Sequence, residues 1–83
     1  MNDIVILKSN KYGLTLNLDS TVSFEELIRA VCEKFAESKE FFGQCDMIIE
    51  TTGRELSNEE TLVLIQAIEL NSDIRIILLN EHN

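Results

Sequence analysis

The chain has 83 residues, 45% hydrophobic and 27% charged, which is the size and mixture of one small globular domain rather than a disordered segment. Seven basic against fifteen acidic residues leave a net charge of −8, which argues against nucleic acid, whose binding is dominated by phosphate neutralisation, and against direct attachment to anionic lipid. No apolar run exceeds four residues, where a membrane helix needs about 20, and the N-terminus lacks the basic-then-apolar order of a signal peptide.

Ile4–Lys8 is β-branched and apolar on both faces, as expected of a covered strand. Leu14–Leu18 alternates strictly, placing Leu14, Leu16 and Leu18 on one face of a second strand. The polar stretch Ser9–Gly13 between them suits a hairpin, so the first pair is expected to be antiparallel. Ser23-Phe-Glu-Glu26 reads as a capping box, with Val22 and Leu27 as its hydrophobic staple. Phe24, Leu27, Ile28, Val31 and Phe35 then recur at helical spacing, giving a helix of about four turns to near Ser38.

Met47–Ile49 marks a short strand, and Thr51–Arg54 a turn. Ser57-Asn-Glu-Glu60 is a second capping box. The helix after it is apolar nearly all round, with Leu62, Val63 and Leu70 besides the stripe Leu64, Ile65 and Ile68, and is expected to be the more buried of the two. Ile74–Leu79 is a last strand, apolar enough to be central. The expected fold is α/β, a single domain over residues 1–79 with a mixed sheet of four strands and two helices in the order ββαβαβ. Residues 80–83 are expected to be a tail or the start of a linker. The predicted core comprises Leu27, Val31, Ile49, Leu64, Ile65, Ile68 and Ile76.

Catalytic chemistry finds no foothold. Gly13, Gly43 and Gly53 are too dispersed for a phosphate loop or a dinucleotide fingerprint. Cys32 and Cys45 fit no metal-ligand spacing and are expected to be reduced thiols; the single histidine is His82. The carboxylate pairs Glu25/Glu26 and Glu59/Glu60 sit in first helical turns, where they complement the helix dipole. No enzyme, cofactor or metal site is expected.

What remains is a binding surface. All four lysines fall in the first half of the chain: Lys8 and Lys11 in the first strand and hairpin, Lys34 and Lys39 around the end of the first helix. Phe41-Phe42 follows directly. Lysine near a helix C-terminus is favourable for dipole reasons alone, and a phenylalanine after a helix often folds back onto the core, so two readings of these residues stand side by side.

The ordered set Lys8–Asp19, Ser23-Phe-Glu-Glu-Leu27, Phe41-Phe-Gly43 and Gly53-Arg-Glu-Leu-Ser57 resembles the N-terminal domain of the MinC family of bacterial septum-site inhibitors, from residue 4 to about 79. The resemblance implies a non-catalytic ββαβαβ domain that binds the tubulin-like division protein FtsZ and blocks its assembly. It further implies that the partner-facing surface joins the first strand and hairpin to the end of the first helix, at Lys8, Ser9, Lys34 and Phe41, and the hairpin charge Lys11 is expected to belong to the same surface. Many relatives carry glycine where this chain has Ser9. A cytoplasmic location follows, with MinD, the membrane-linked ATPase, bound only through a C-terminal domain outside this sequence. The competing readings are a phosphorylation-switched regulator of the anti-sigma-antagonist type, with Ser57 as phosphosite, and a ubiquitin-like binding module.

Overall fold

The computed structural model describes residues 3–81. Strand β1 (Val5–Asn10) pairs antiparallel with β2 (Gly13–Leu18) through the two-residue turn Lys11-Tyr12. Helix α1 (Phe24–Glu37) leads to a single turn, α2 (Lys39–Phe42), and then to β3 (Cys45–Thr52), α3 (Asn58–Leu70) and β4 (Ile74–Glu81). The strands lie side by side in the order β1-β2-β3-β4, with β2, β3 and β4 parallel. The expected mixed four-stranded sheet is present, and α2 is a third helical element beyond the expected two.

This order explains the layering. Both crossovers, β2 to β3 and β3 to β4, step in the same direction, and right-handed crossovers stepping one way lay their helices on one face. The helices α1 and α3 therefore cover one side of the sheet, where Leu14, Leu16, Leu18 and Ile49 meet Leu27, Val31, Phe35, Leu64 and Ile68 in a buried core. The opposite side carries Lys8, Asn17, Asp46 and Arg75, all exposed.

Several expectations need correction. The terminal strands β1 and β4 are edges, so β4 is not central and β1 is covered on one face only. On β4, Ile77 is 62% exposed, and the register slips beside it between Met47 and Ile48. Strand β4 also continues through Asn80 and Glu81, two residues past the expected boundary, while His82 and Asn83 lie outside the described residues. Helix α3 is not the more buried helix: Leu62 is 61% and Leu70 83% exposed, because its one covered stripe is Leu64, Ala67 and Ile68. Ile65 and Ile76 are only partly buried. Strand β3 is longer than expected, at eight residues, and takes in Thr51 and Thr52.

The caps set the helix starts. At Ser57 the box is complete: Glu60 N–H donates to Ser57 Oγ (3.1 Å) and Ser57 N–H to the Glu60 carboxylate (3.0 Å). At Ser23 only one half forms, the Glu26 N–H donating to Ser23 Oγ at 3.1 Å. The β2–α1 loop is held instead by Arg54, whose guanidinium donates to the carbonyls of Val22 (2.7 Å) and Asp19 (3.2 Å). Asp19 accepts the Thr21 hydroxyl and the Thr21 N–H, both at 2.6 Å; these bonds, with the nearby Arg54 charge, hold its carboxyl below the ordinary 3.8. Gly13 is required where β2 passes β3: at φ +153° a Cβ would collide with the Ile48 carbonyl.

Thr51 is fully buried on β3, and its hydroxyl has no hydrogen-bond partner. A hydroxyl left so costs roughly 1–3 kcal/mol. Thr51→Val, which keeps the shape, is expected to raise stability by about 1 kcal/mol and the thermal midpoint by about 4–8 °C. A lowered midpoint in a calorimetric scan would reveal a bridging water.

Candidate partner-binding cleft

Helix α1 ends beside β1, and its last turn carries Lys34, placed there by the same helical spacing that buries Val31 and Phe35. Ser38 caps α1 by donating its N–H to the Lys34 carbonyl (3.1 Å) and opens α2 at once. The four residues of α2 divide their aromatics. Phe42 turns inward against Phe35, ring centroids 6.1 Å apart, and Phe41 stands 84% exposed with its ring edge-on to Phe42 at 5.3 Å. Gly43, at φ +62°, takes the chain out of this turn into β3 while its N–H donates to the Lys39 carbonyl. Of the two readings of Phe41-Phe42, each residue follows one: Phe42 joins the core margin, Phe41 does not.

The result is a cleft of about 340 Å³ between the outer edge of β1 and the α1–α2 corner, lined by Val5, Leu7, Ser9, Lys34, Phe41 and Phe42 among others. Three of the five candidate residues, Ser9, Lys34 and Phe41, thus come together. Lys8 does not enter the cleft; it opposes Thr15 and stands on the bare side of the sheet. Lys11 lies in the hairpin turn, its ammonium 6.0 Å above the Tyr12 ring. Lys34 is partly buried, and among the described residues no carboxylate lies within ion-pair distance of it. Asp3, at the entrance to β1, is the acidic member of the lining. Leu7 and Phe42 belong to the cleft without having been candidates. The signal available for Leu7 was its alternation with Val5 and Ser9 once β1 is recognised as an edge.

Ser57, the phosphosite of the anti-sigma-antagonist reading, is explained by capping: it is engaged on both sides by its capping box. The two cysteines are free and partly buried.

Comparison with known proteins decides the family. Residues 5–78 match the model of the cell-division inhibitor MinC, N-terminal domain-like. The chain belongs to the MinC N-terminal domain family. It is 46% identical over 81 residues to the probable septum site-determining protein MinC of Agathobacter rectalis, covering 98% of this chain and 33% of that protein. It is 37% identical over 84 residues to the probable MinC of Lachnospira eligens, covering 100% and 34%, and 39% identical over 74 residues to that of Fusobacterium nucleatum. The chain spans about a third of the length of the curated MinC relatives it matches. No solved structure matches it. No helix of the described residues is long and apolar enough to cross a membrane.

Proposed function

We propose that this domain binds FtsZ and blocks its assembly into the septal ring, and so helps to place the division site. Membership of the MinC N-terminal family supports the activity, and the cleft uniting Ser9, Lys34 and Phe41 supports the location. The observation that carries the reading is the cleft that brings the partly buried Lys34 together with a solvent-exposed Phe41. Such a pair suits a partner offering a carboxylate next to an apolar group, and a local positive spot on a negative domain steers an acidic partner to one orientation. Lys8 and Lys11 flank the cleft and act on encounter rather than on the bound state, as rim charges mainly alter association rate. The domain is non-catalytic and works in the cytoplasm. Recruitment to the inner membrane face passes through MinD and a C-terminal domain outside this sequence.

The test is sedimentation of FtsZ polymers with and without the domain, using single substitutions. Lys34→Glu and Phe41→Ala are expected to weaken inhibition at least about tenfold, the loss typical of a docking residue. The thermal midpoint of Phe41→Ala should stay near that of the wild type, since exposed positions away from the core usually change stability by under about 0.5 kcal/mol, whereas Lys34→Glu, which puts a negative charge in the last turn of α1, should cost no more than about 1 kcal/mol. Lys11→Ala should matter less. Unfolding by Lys34→Glu, or full potency of both variants, would reject the placement.

A further inference from the structure

We propose that the partner is held by strand addition: an extended, acidic peptide segment pairs with the outer edge of β1 as a fifth strand, in the cleft between β1 and the α1–α2 corner. This rests on the reading of that cleft as the binding site and names how it binds. The backbone of β1 determines which groups are on offer. Asp19 N–H donates to the Ile4 carbonyl at 2.9 Å, and these residues stand directly opposite in the register that pairs Val5 with Leu18. Hydrogen-bonded and non-hydrogen-bonded pairs alternate along an antiparallel ladder. Ile6, Lys8 and Asn10 therefore exchange bonds with β2, and Val5, Leu7 and Ser9 direct theirs away from it; Val5 is buried under α1, so the outward groups within reach of another chain are those of Leu7 and Ser9. Val5, Leu7 and Ser9 all line the cleft. Among the described residues no side chain or backbone group bonds to them from the outer side.

The other edge is treated differently. On β4 the Ile76 N–H is taken by the Glu69 carboxylate at 3.0 Å, and the register slip at Ile77 breaks the regular row. A side-chain acceptor and a bulge are two devices by which native edges resist pairing. The sheet thus has one guarded edge and one open one, and the open one faces a cleft. A row of unpaired backbone donors and acceptors is met in full only by another extended backbone, whose alternate side chains then enter the flanking pockets.

The charge identifies the occupant. Lys34 reaches the cleft, where Asp3 is the one acidic residue of the lining, and Lys8 flanks the same strand from the other face. An acidic strand meets both.

Amide protection of Leu7 and Ser9, followed by NMR hydrogen exchange, tests this directly. The wild-type domain is titrated with FtsZ and, separately, with a blocked peptide of alternating valine and threonine flanked by aspartates. Protection of these amides by FtsZ is the expected result. FtsZ binding without protection overturns strand addition and leaves the FtsZ reading standing. Protection by the peptide, without any FtsZ binding, keeps strand addition and removes the FtsZ reading; protection by neither overturns the proposal. Protection that grows with the domain's own concentration assigns the edge to a second copy, and likewise overturns it. Ser9→Pro deletes one outward N–H that the fold does not use, which edge strands tolerate, and is expected to weaken binding at least about tenfold. Equal binding by the proline variant, if its thermal midpoint is unchanged, rejects the mechanism.

Discussion

Ile68→Ala is expected to destabilise the domain by roughly 2–5 kcal/mol, the range for emptying a fully buried aliphatic site. Ile68 is wholly buried on α3, packed into the same core as Leu27, Val31 and Ile49. At about 0.05–0.15 kcal/mol per residue, a domain of this size has only about 4–12 kcal/mol to lose. The thermal midpoint should fall by about 8–40 °C, at about 4–8 °C per kcal/mol. Leu62→Ala, six residues earlier on the same helix, supplies the contrast. Leu62 is 61% exposed, so its truncation should change stability by under about 0.5 kcal/mol. Equal losses at the two positions, measured by urea titration, would contradict the one-sided burial of α3.

Fusing the domain to an unrelated dimerising module is expected to lower the concentration needed to inhibit FtsZ assembly, by up to about 10²–10⁴. Linking two weak binding units makes the second contact intramolecular, and a polymer offers neighbouring sites for both. Sedimentation of FtsZ over a dose series of fused and unfused domain measures the gain. Equal potency would show that valency contributes nothing. Solution mass has to be determined beforehand, because a domain that dimerises unaided removes the contrast.

The elements themselves were legible because local signals agreed. Ser23 and Ser57 mark both long helix starts, and the strict alternation of Leu14, Leu16 and Leu18 sets the buried face of β2. Strand order was not legible. Apolar content makes Ile74–Leu79 look central, yet hydrophobicity reports burial of a face and carries no information about which lateral neighbours a strand has. The crossovers decide that, and they put β4 at the rim. The same blindness affects α3, whose Leu62 and Leu70 have no helix or sheet outside them to meet. At the candidate site, Lys34 and Phe41 were picked out by family resemblance and by a charge asymmetry. Their convergence with Ser9 depends on α2, a turn of four residues and too short to show a hydrophobic period. The unpaired groups of β1 belong to the backbone, which every residue shares, so no side-chain pattern announces them.

The separation of β1 and β4 on opposite edges also fixes how the domain stands when it is carried by something else. Strands in a sheet lie about 4.8 Å apart, so three intervals set the outgoing strand roughly 14 Å from the strand beside the cleft. A tether attached beyond Glu81 pulls on the far rim, and its tension passes across the ladder rather than along the groove. A domain carried from that rim keeps its cleft at the opposite margin of the sheet. Crowding near an anchor would obstruct a site placed next to the exit, but here the sheet's own width keeps anchor and groove apart.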